Sequence, residues 1–261
     1  MARAKGHFEP ESNLESPYAK RPWLKHYDFW VPATATYPRQ AAYRALEIGA
    51  SNYPDRAATI FFGAEMTFRE LKDRAYRLAT ALHDAGVAKG DRVGIMLPNC
   101  PQFLISFFGV LRTSATVVCI NPTYTQREFQ RLAADCRIKA LVVMDQIAPA
   151  IVPSIPSTRV ELILLTGLQD YMPPAMAESY LLDRAGAIPD LQAISLLAEN
   201  ALRDQSDEAH EERKIRVQSF SKTIESTQLR YFKVEIDAEE DIAALQYTGG
   251  TTGSSKGAML T

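Results

Sequence analysis

Eleven consecutive residues near the end of the 261-residue chain concentrate its chemistry. Thr248-Gly249-Gly250-Thr251-Thr252-Gly253-Ser254-Ser255-Lys256-Gly257-Ala258 holds four glycines, five hydroxyl side chains and one lysine. Glycine lets backbone N–H groups converge on one point, hydroxyls add donors, and lysine adds a mobile positive charge. Such a set suits a polyanion, and phosphate is the natural guest. A flexible Gly/Ser/Thr linker has a similar composition. Against a linker stand the apolar run 242–245 that launches the loop, the lysine placed among glycines, and Ala258-Met259-Leu260, which resumes structure. The order Ser255-Lys256-Gly257 departs from a Walker A loop, which needs Gly-Lys followed by a hydroxyl residue. No G-x-G-x-x-G follows the first strand, so a dinucleotide fold has no support.

The elements that must position this loop are legible upstream. Residues 57–62 read as a strand, Gly63-Ala64-Glu65 as a turn and 66–68 as a short return strand. Thr67-Phe68-Arg69-Glu70 fits a capping box that opens a helix. Leu71, Ala75, Leu78, Ala79, Leu82 and Ala85 share its apolar face, and Gly86 stops it. A strand is expected at 92–97, then a helix from Pro101 to Leu111 that is apolar on nearly all sides and is therefore expected deep inside, and a strand at 115–120. Thr125-Gln126-Arg127-Glu128 is a second capping box, followed by Phe129, Leu132, Ala133 and Cys136 on one face and by a buried strand at 140–144. Alternation of strand and helix at this spacing predicts an α/β fold with a parallel, doubly wound sheet. A further strand is expected at 160–165. Pro173-Pro174 and Pro189 are expected to break the chain, and 192–202 to form a helix. The charged stretch 204–216 reads as an exposed helix or connector, and the polar tract 218–228 as loosely ordered. Residues 1–38, rich in proline and aromatics without a period, read as an N-terminal extended arm whose Trp23, Tyr27, Phe29 and Trp30 are expected to pack on their own domain.

Composition narrows the function. With 29 basic and 31 acidic residues the net charge is −2, so no global field draws in nucleic acid and any anion site is local. Cys100, Cys119 and Cys136 are odd in number and set in apolar stretches, which points to core thiols in a reducing compartment. No apolar run of signal-peptide length is visible in the first twenty residues, and the polar and charged residues Arg112, Thr113, Ser114 and Thr116 interrupt the most apolar window. His7, His26, His83 and His210 lack metal-ligand spacing, so no metal site is assigned. Glu239-Glu240-Asp241 reads as a solvated turn and is given no catalytic role.

The stretch Gln246-Tyr247-Thr248-Gly249-Gly250-Thr251-Thr252-Gly253-Ser254-Ser255-Lys256-Gly257 resembles the signature loop of the AMP-forming synthetases. This superfamily of adenylate-forming ligases includes acyl-CoA synthetases, luciferases and peptide-synthetase adenylation domains. The match departs only at Ser255, where proline is usual, and that change removes no phosphate donor. Glycine at 249, Ala258-Met259-Leu260-Thr261, Met96-Leu97-Pro98-Asn99, Asn121-Pro122-Thr123-Tyr124-Thr125 and Arg21-Pro22-Trp23-Leu24-Lys25-His26-Tyr27 resemble the long-chain fatty acid–CoA ligase branch. The resemblance covers about residues 20–261.

The resemblance implies a ligase that joins a fatty acid to coenzyme A through an acyl-adenylate, using ATP and Mg2+ and releasing AMP and diphosphate. It makes residues 39–261 the front portion of the family's N-terminal domain, ending in the phosphate-binding loop 247–258. Tyr247, Thr248, Gly249, Gly250, Thr251, Thr252, Gly253, Ser254, Ser255, Lys256, Gly257 and Ala258 would then bind the nucleotide phosphates, and Lys256 would be catalytic. The family's adenine, ribose and magnesium motifs and its C-terminal lysine lie downstream of this loop. These 261 residues alone are therefore expected to complete neither half-reaction, and a sheet without its later strands is expected to expose an apolar edge. Expected partners are a fatty acid, ATP and CoA but no nucleic acid. The resemblance leaves room for a homodimer and for a cytoplasmic enzyme that meets the inner face of the membrane peripherally. Two rivals stay open: a noncatalytic nucleotide-binding or interaction fragment, and a ligase for an aryl or other carboxylic acid.

Overall fold

A computed structural model describes residues 20–35, 38–204, 214–248 and 256–261. Positions 249–255 of the expected phosphate loop, 205–213 of the charged stretch, and His7 and His210 lie outside the described residues. The chain divides into two units, Met1–Arg39 and Gln40–Thr261. In the first, the expected extended arm contains one 3-10 turn, Pro22–His26. Phe29 and Trp30 meet edge to face at 4.9 Å and are 95% and 67% exposed, so they are not buried in a core.

The second unit begins with α1 (Arg44–Asn52) and an antiparallel hairpin of β1 (Ala57–Phe61) and β2 (Ala64–Thr67). Phe62 and Gly63 carry the turn at φ 50° and 87°, a left-handed pair of the kind that tight hairpins require. α2 (Phe68–Asp84) follows, capped as its sequence predicts. Glu70 N–H donates to Thr67 Oγ1, and Thr67 N–H donates to the Glu70 carboxylate at 2.8 Å. At its other end Val87 N–H reaches Leu82 O and Gly86 N–H reaches His83 O, a Schellman stop with Gly86 at φ 91°.

β3 (Arg92–Met96), α3 (Pro101–Leu111), β4 (Thr116–Cys119), α4 (Gln126–Cys136) and β5 (Ala140–Met144) then alternate as expected. After α5 (Ala148–Ile151) and a 3-10 turn, β6 (Leu162–Thr166) lies slightly later than the expected 160–165. α6 (Pro174–Asp183), α7 (Leu191–Asp204), β7 (Arg216–Ser219), α8 (Phe220–Ser226), β8 (Ala244–Thr248) and β9 (Lys256–Leu260) complete the order. The main sheet runs β7-β6-β5-β3-β4-β8-β9, parallel throughout except for β9, which is antiparallel to β8.

Both faces of the sheet are covered. Val142 and Met144 of β5 face the side packed by α2, α3 and α8, through Leu78, Ile105 and Phe220. Leu141 and Val143 face the side packed by α4 and α7, through Phe129, Leu132 and Ile194. Strands buried on both sides read as unbroken apolar runs, which is why they were visible in the sequence. Gly109 lets α2 and α3 approach closely, since a Cβ there would lie 3.0 Å from Ala75 O.

Three expectations need correction. Pro173-Pro174 does not break the chain but starts α6, because the first helical turn needs no N–H donors and Pro174 occupies it. The tract 218–228 is ordered: Ser219 Oγ accepts Lys222 N–H to cap α8, and Phe220 and Ile224, one turn apart, are buried. Two anchors are too few to show a helical period. α3 is apolar all round, yet Phe103, Leu104, Phe107 and Phe108 are only partly buried. Among the described residues no helix is long and apolar enough to cross a membrane. β9 forms the described edge beyond β8, with Met259 and Leu260 exposed.

Thr67→Ala is expected to cost about 1 kcal/mol of stability through loss of the α2 cap, read as a lower denaturant midpoint with an unchanged slope.

Candidate phosphate site

The strands from β3 to β8 are parallel, so their C-terminal ends share one edge of the sheet. β3 lies between β4 and β5, and the chain crosses from one of its sides to the other, which makes this edge the place where doubly wound sheets bind ligands. Leu97-Pro98-Asn99 after β3, Asn121-Pro122 after β4 and the loop after β8 all leave from it. β8 pairs with β9 at Tyr247↔Gly257 and Thr248↔Lys256, so the two ends of the loop are brought together by ladder pairing.

Tyr247 anchors this hairpin. Its hydroxyl donates to Asp135 Oδ2 at 2.5 Å near the end of α4, and the buried Cys136 thiol touches the same hydroxyl. Burial, reinforced by the Asp135 carboxylate, pushes the phenol upward, so it remains a donor. The ring lies over Gly257, where a Cβ would come within 3.1 Å of Tyr247 Cζ. A side chain at 257 would therefore press on the Tyr247 ring, which would have to give by a few tenths of an ångström. Burial also pushes the Cys136 thiol up to about 11. Lys256, Gly257 and Ala258 lie on the exposed β9.

The chain reaches β8 through residues 227–243, which form no helix or strand. Their carbonyls are held by side chains from elsewhere. Arg77 donates to Thr227 O at 2.9 Å, Arg112 to Phe232 O at 2.7 Å, Lys89 to Glu235 O at 3.3 Å and Thr116 to Ile242 O at 2.9 Å. Arg112 is 8% exposed and lies 5.4, 5.1 and 4.8 Å from the ring centroids of Tyr43, Tyr76 and Phe232. Lys89 also pairs with Asp241 at 2.5 Å, and that pairing holds the Asp241 carboxyl below its usual range. Asp135, Arg112 and Lys89 had no sequence signal, because single polar residues more than a hundred positions from the loop carry no local pattern. Of the proposed binding residues, Tyr247, Lys256, Gly257, Ala258 and the backbone of Thr248 are described.

The model of the family described as AMP-binding enzyme matches residues 46–261. The chain belongs to the AMP-binding enzyme family. Within this family it is 32% identical over 244 residues to a long-chain-fatty-acid–CoA ligase of Bacillus subtilis and 33% identical over 245 residues to one of Salmonella typhimurium. Each alignment takes in 93% of this chain, and the chain spans 40% of the length of these relatives. Two solved structures show that it has the fold of AMP-binding enzymes. One is a long-chain-fatty-acid–CoA ligase from Archaeoglobus fulgidus, with TM-score 0.63, 24% identity and coverage of 87% of this chain and 38% of that one. The other is an anthranilate CoA ligase in complex with anthranoyl-AMP, with TM-score 0.64, 23% identity and coverage of 88% and 36%.

Tyr247→Phe is expected to cost about 1 kcal/mol through the lost Asp135 bond, measured by equilibrium unfolding. Cys136 offers a second check. Its thiol holds its proton more tightly folded than unfolded, so this contribution to stability is present below about pH 9 and is lost as pH rises through about 11. At pH 8 its native thiolate fraction should be about 100-fold below that of an ordinary thiol, so rapid maleimide labelling of native Cys136 would contradict the burial.

Proposed function

We propose that this chain is the front portion of an AMP-forming long-chain fatty acid–CoA ligase and that its loop 247–258 grips the ATP phosphates. The observation that carries the reading is the β8–β9 hairpin: it brings Thr248 and Lys256 together at the ligand-binding edge of the sheet, with the glycine and hydroxyl residues 249–255 between them. The identity to long-chain-fatty-acid–CoA ligases over 93% of the chain supports the choice of acid.

In this reading a fatty carboxylate oxygen attacks the α-phosphorus of ATP, the bond to diphosphate breaks, and an acyl-adenylate forms. The thiol of CoA then attacks the acyl carbon and AMP leaves. Such in-line transfer depends on positioning and on neutralising phosphate charge. The hydroxyls of Thr248, Thr251, Thr252 and Ser254 and the N–H groups of Gly249, Gly250 and Gly253 donate to the β- and γ-phosphates. Lys256 supplies charge as diphosphate develops, Tyr247 and Gly257 hold the loop's base, and Ala258 continues β9. Mg2+ would share in neutralising the phosphates. Among the described residues no three His, Cys, Asp or Glu side chains converge, and none of them is assigned as a metal ligand. The same reading has the enzyme work in the cytoplasm, meeting fatty acid at the inner face of the membrane.

Lys256→Ala, made in the chain completed to the length of its relatives, should slow acid-dependent ATP–diphosphate exchange by at least about tenfold, since donors to developing oxyanions are worth on the order of 10²-fold in rate. Unchanged exchange would remove Lys256 from the mechanism. A panel of long-chain, aryl and amino acids in the same assay should favour the long-chain acids, and preference for an aryl acid would reassign the substrate. Failure of the completed chain to exchange with any acid would favour a noncatalytic role.

A further inference from the structure

The register of β8 with β4 ends at the pair Cys119↔Gln246, whereas its register with β9 continues through Tyr247↔Gly257 and Thr248↔Lys256. The last two residues of β8 therefore overhang the parallel sheet. They are paired with β9, whose residues are all exposed. Both stems of the loop belong to this overhang, and the Tyr247 hydroxyl, donating to Asp135 Oδ2 at 2.5 Å, ties it to the body of the domain.

The acceptor of that bond stands on a fixed support. α4 is closed at its start by the reciprocal Thr125–Glu128 cap, and Phe129, Leu132, Ala133 and Cys136 bury one of its faces. The last carbonyls of a helix lack partners within it. Arg92, the first residue of β3, supplies them here: its Nε donates to Cys136 O at 2.6 Å and its Nη2 to Arg137 O at 3.5 Å. Asp135 thus lies on a last turn that is held to the sheet from below. Its side chain is exposed, so the carboxylate keeps its charge at little cost in desolvation.

The bond links a rigid element to one that little else restrains. Burial and the Asp135 carboxylate keep the Tyr247 phenol protonated, which leaves it a donor. Without its acceptor the ring is free to turn off Gly257, and the two stems lose their common anchor. A ligand then binds only the fraction of molecules whose stems are in place, and its apparent affinity falls by that fraction. A hydrogen bond to a charged acceptor is worth about tenfold or more in such an equilibrium. Direct contact with phosphate is not open to Asp135, because like charges repel.

We propose that Asp135 is a positioning residue for nucleotide binding, which holds the overhanging stems of the β8–β9 hairpin through Tyr247 and does not touch the nucleotide. The proposal rests on the phosphate-binding reading of the loop.

ATP–diphosphate exchange by the chain completed to the length of its relatives tests it. Asp135→Ala is expected to raise the KM for ATP by about three- to tenfold and to leave the KM for the fatty acid at the parental value. Asp135→Asn keeps a side-chain carbonyl that accepts the phenol, and it should recover most of the loss. Tyr247→Phe should match Asp135→Ala, and the double variant should be no worse than either single one, since both remove the same bond. A role in stability alone would lower kcat through the folded fraction without moving the KM for ATP. A parental KM for ATP in Asp135→Ala, or effects that add in the double variant, would overturn the proposal. If Asp135→Ala fails to fold, a parental KM in Tyr247→Phe does so. A parent without exchange would remove the phosphate reading and the positioning role together, whereas an active parent with unaltered variants would remove the role of Asp135 alone.

Discussion

The placement of β8 along β4 is the constraint on which the candidate site depends. Val117, Val118 and Cys119 pair with Ala244, Leu245 and Gln246, and this register sets where the loop after Thr248 leaves the sheet. No helix delivers the chain to β8. An irregular segment does so, and Arg77, Arg112, Lys89 and Thr116 donate to its Thr227, Phe232, Glu235 and Ile242 carbonyls. Arg112 carries the sharpest electrostatic cost, since a nearly buried cation is costly to strip of water. Three aromatic faces and one short bond to Phe232 O offset that cost. Among the described residues its Nε and Nη1 find no hydrogen-bond partner, so the ring faces carry much of the compensation.

The two faces of the sheet have different tasks at the ligand edge. On the face packed by α4, Tyr247 links the β8–β9 hairpin to Asp135 and lies across Gly257, so the base of the loop is tied both to a helix and to its partner strand. The described parts of the site thus provide rigidity. At the other end of the same edge, Gly167 allows the Asp145 carboxylate and the Gln169 amide to approach each other closely. In both places a glycine matters for what its neighbour can reach, and neither Gly167 nor Gly257 has a positive φ.

Much of this architecture was legible in advance for local reasons. Thr67 and Thr125 with Glu70 and Glu128 announced two helix starts because a capping box is closed within four residues. β3, β4 and β5 appeared as apolar runs because a doubly covered parallel strand has no polar face. α8 was missed because Phe220 and Ile224 alone cannot display a period, and α6 because a proline pair reads as a break until its place in the first turn is known.

By itself, then, the sequence determined the α/β alternation, the helix caps and the family, all of which are written in contiguous residues. Only the tertiary structure decided that β9 turns back antiparallel on β8, that Asp135 receives Tyr247 from 112 positions away, and that Arg112 holds the segment leading to β8. It also decided that Asp145 and Gln169 meet. The physical reason is the same in each case. Caps and buried strands are satisfied by near neighbours in the chain, whereas a lone polar side chain finds its partner only once packing has brought distant backbone beside it.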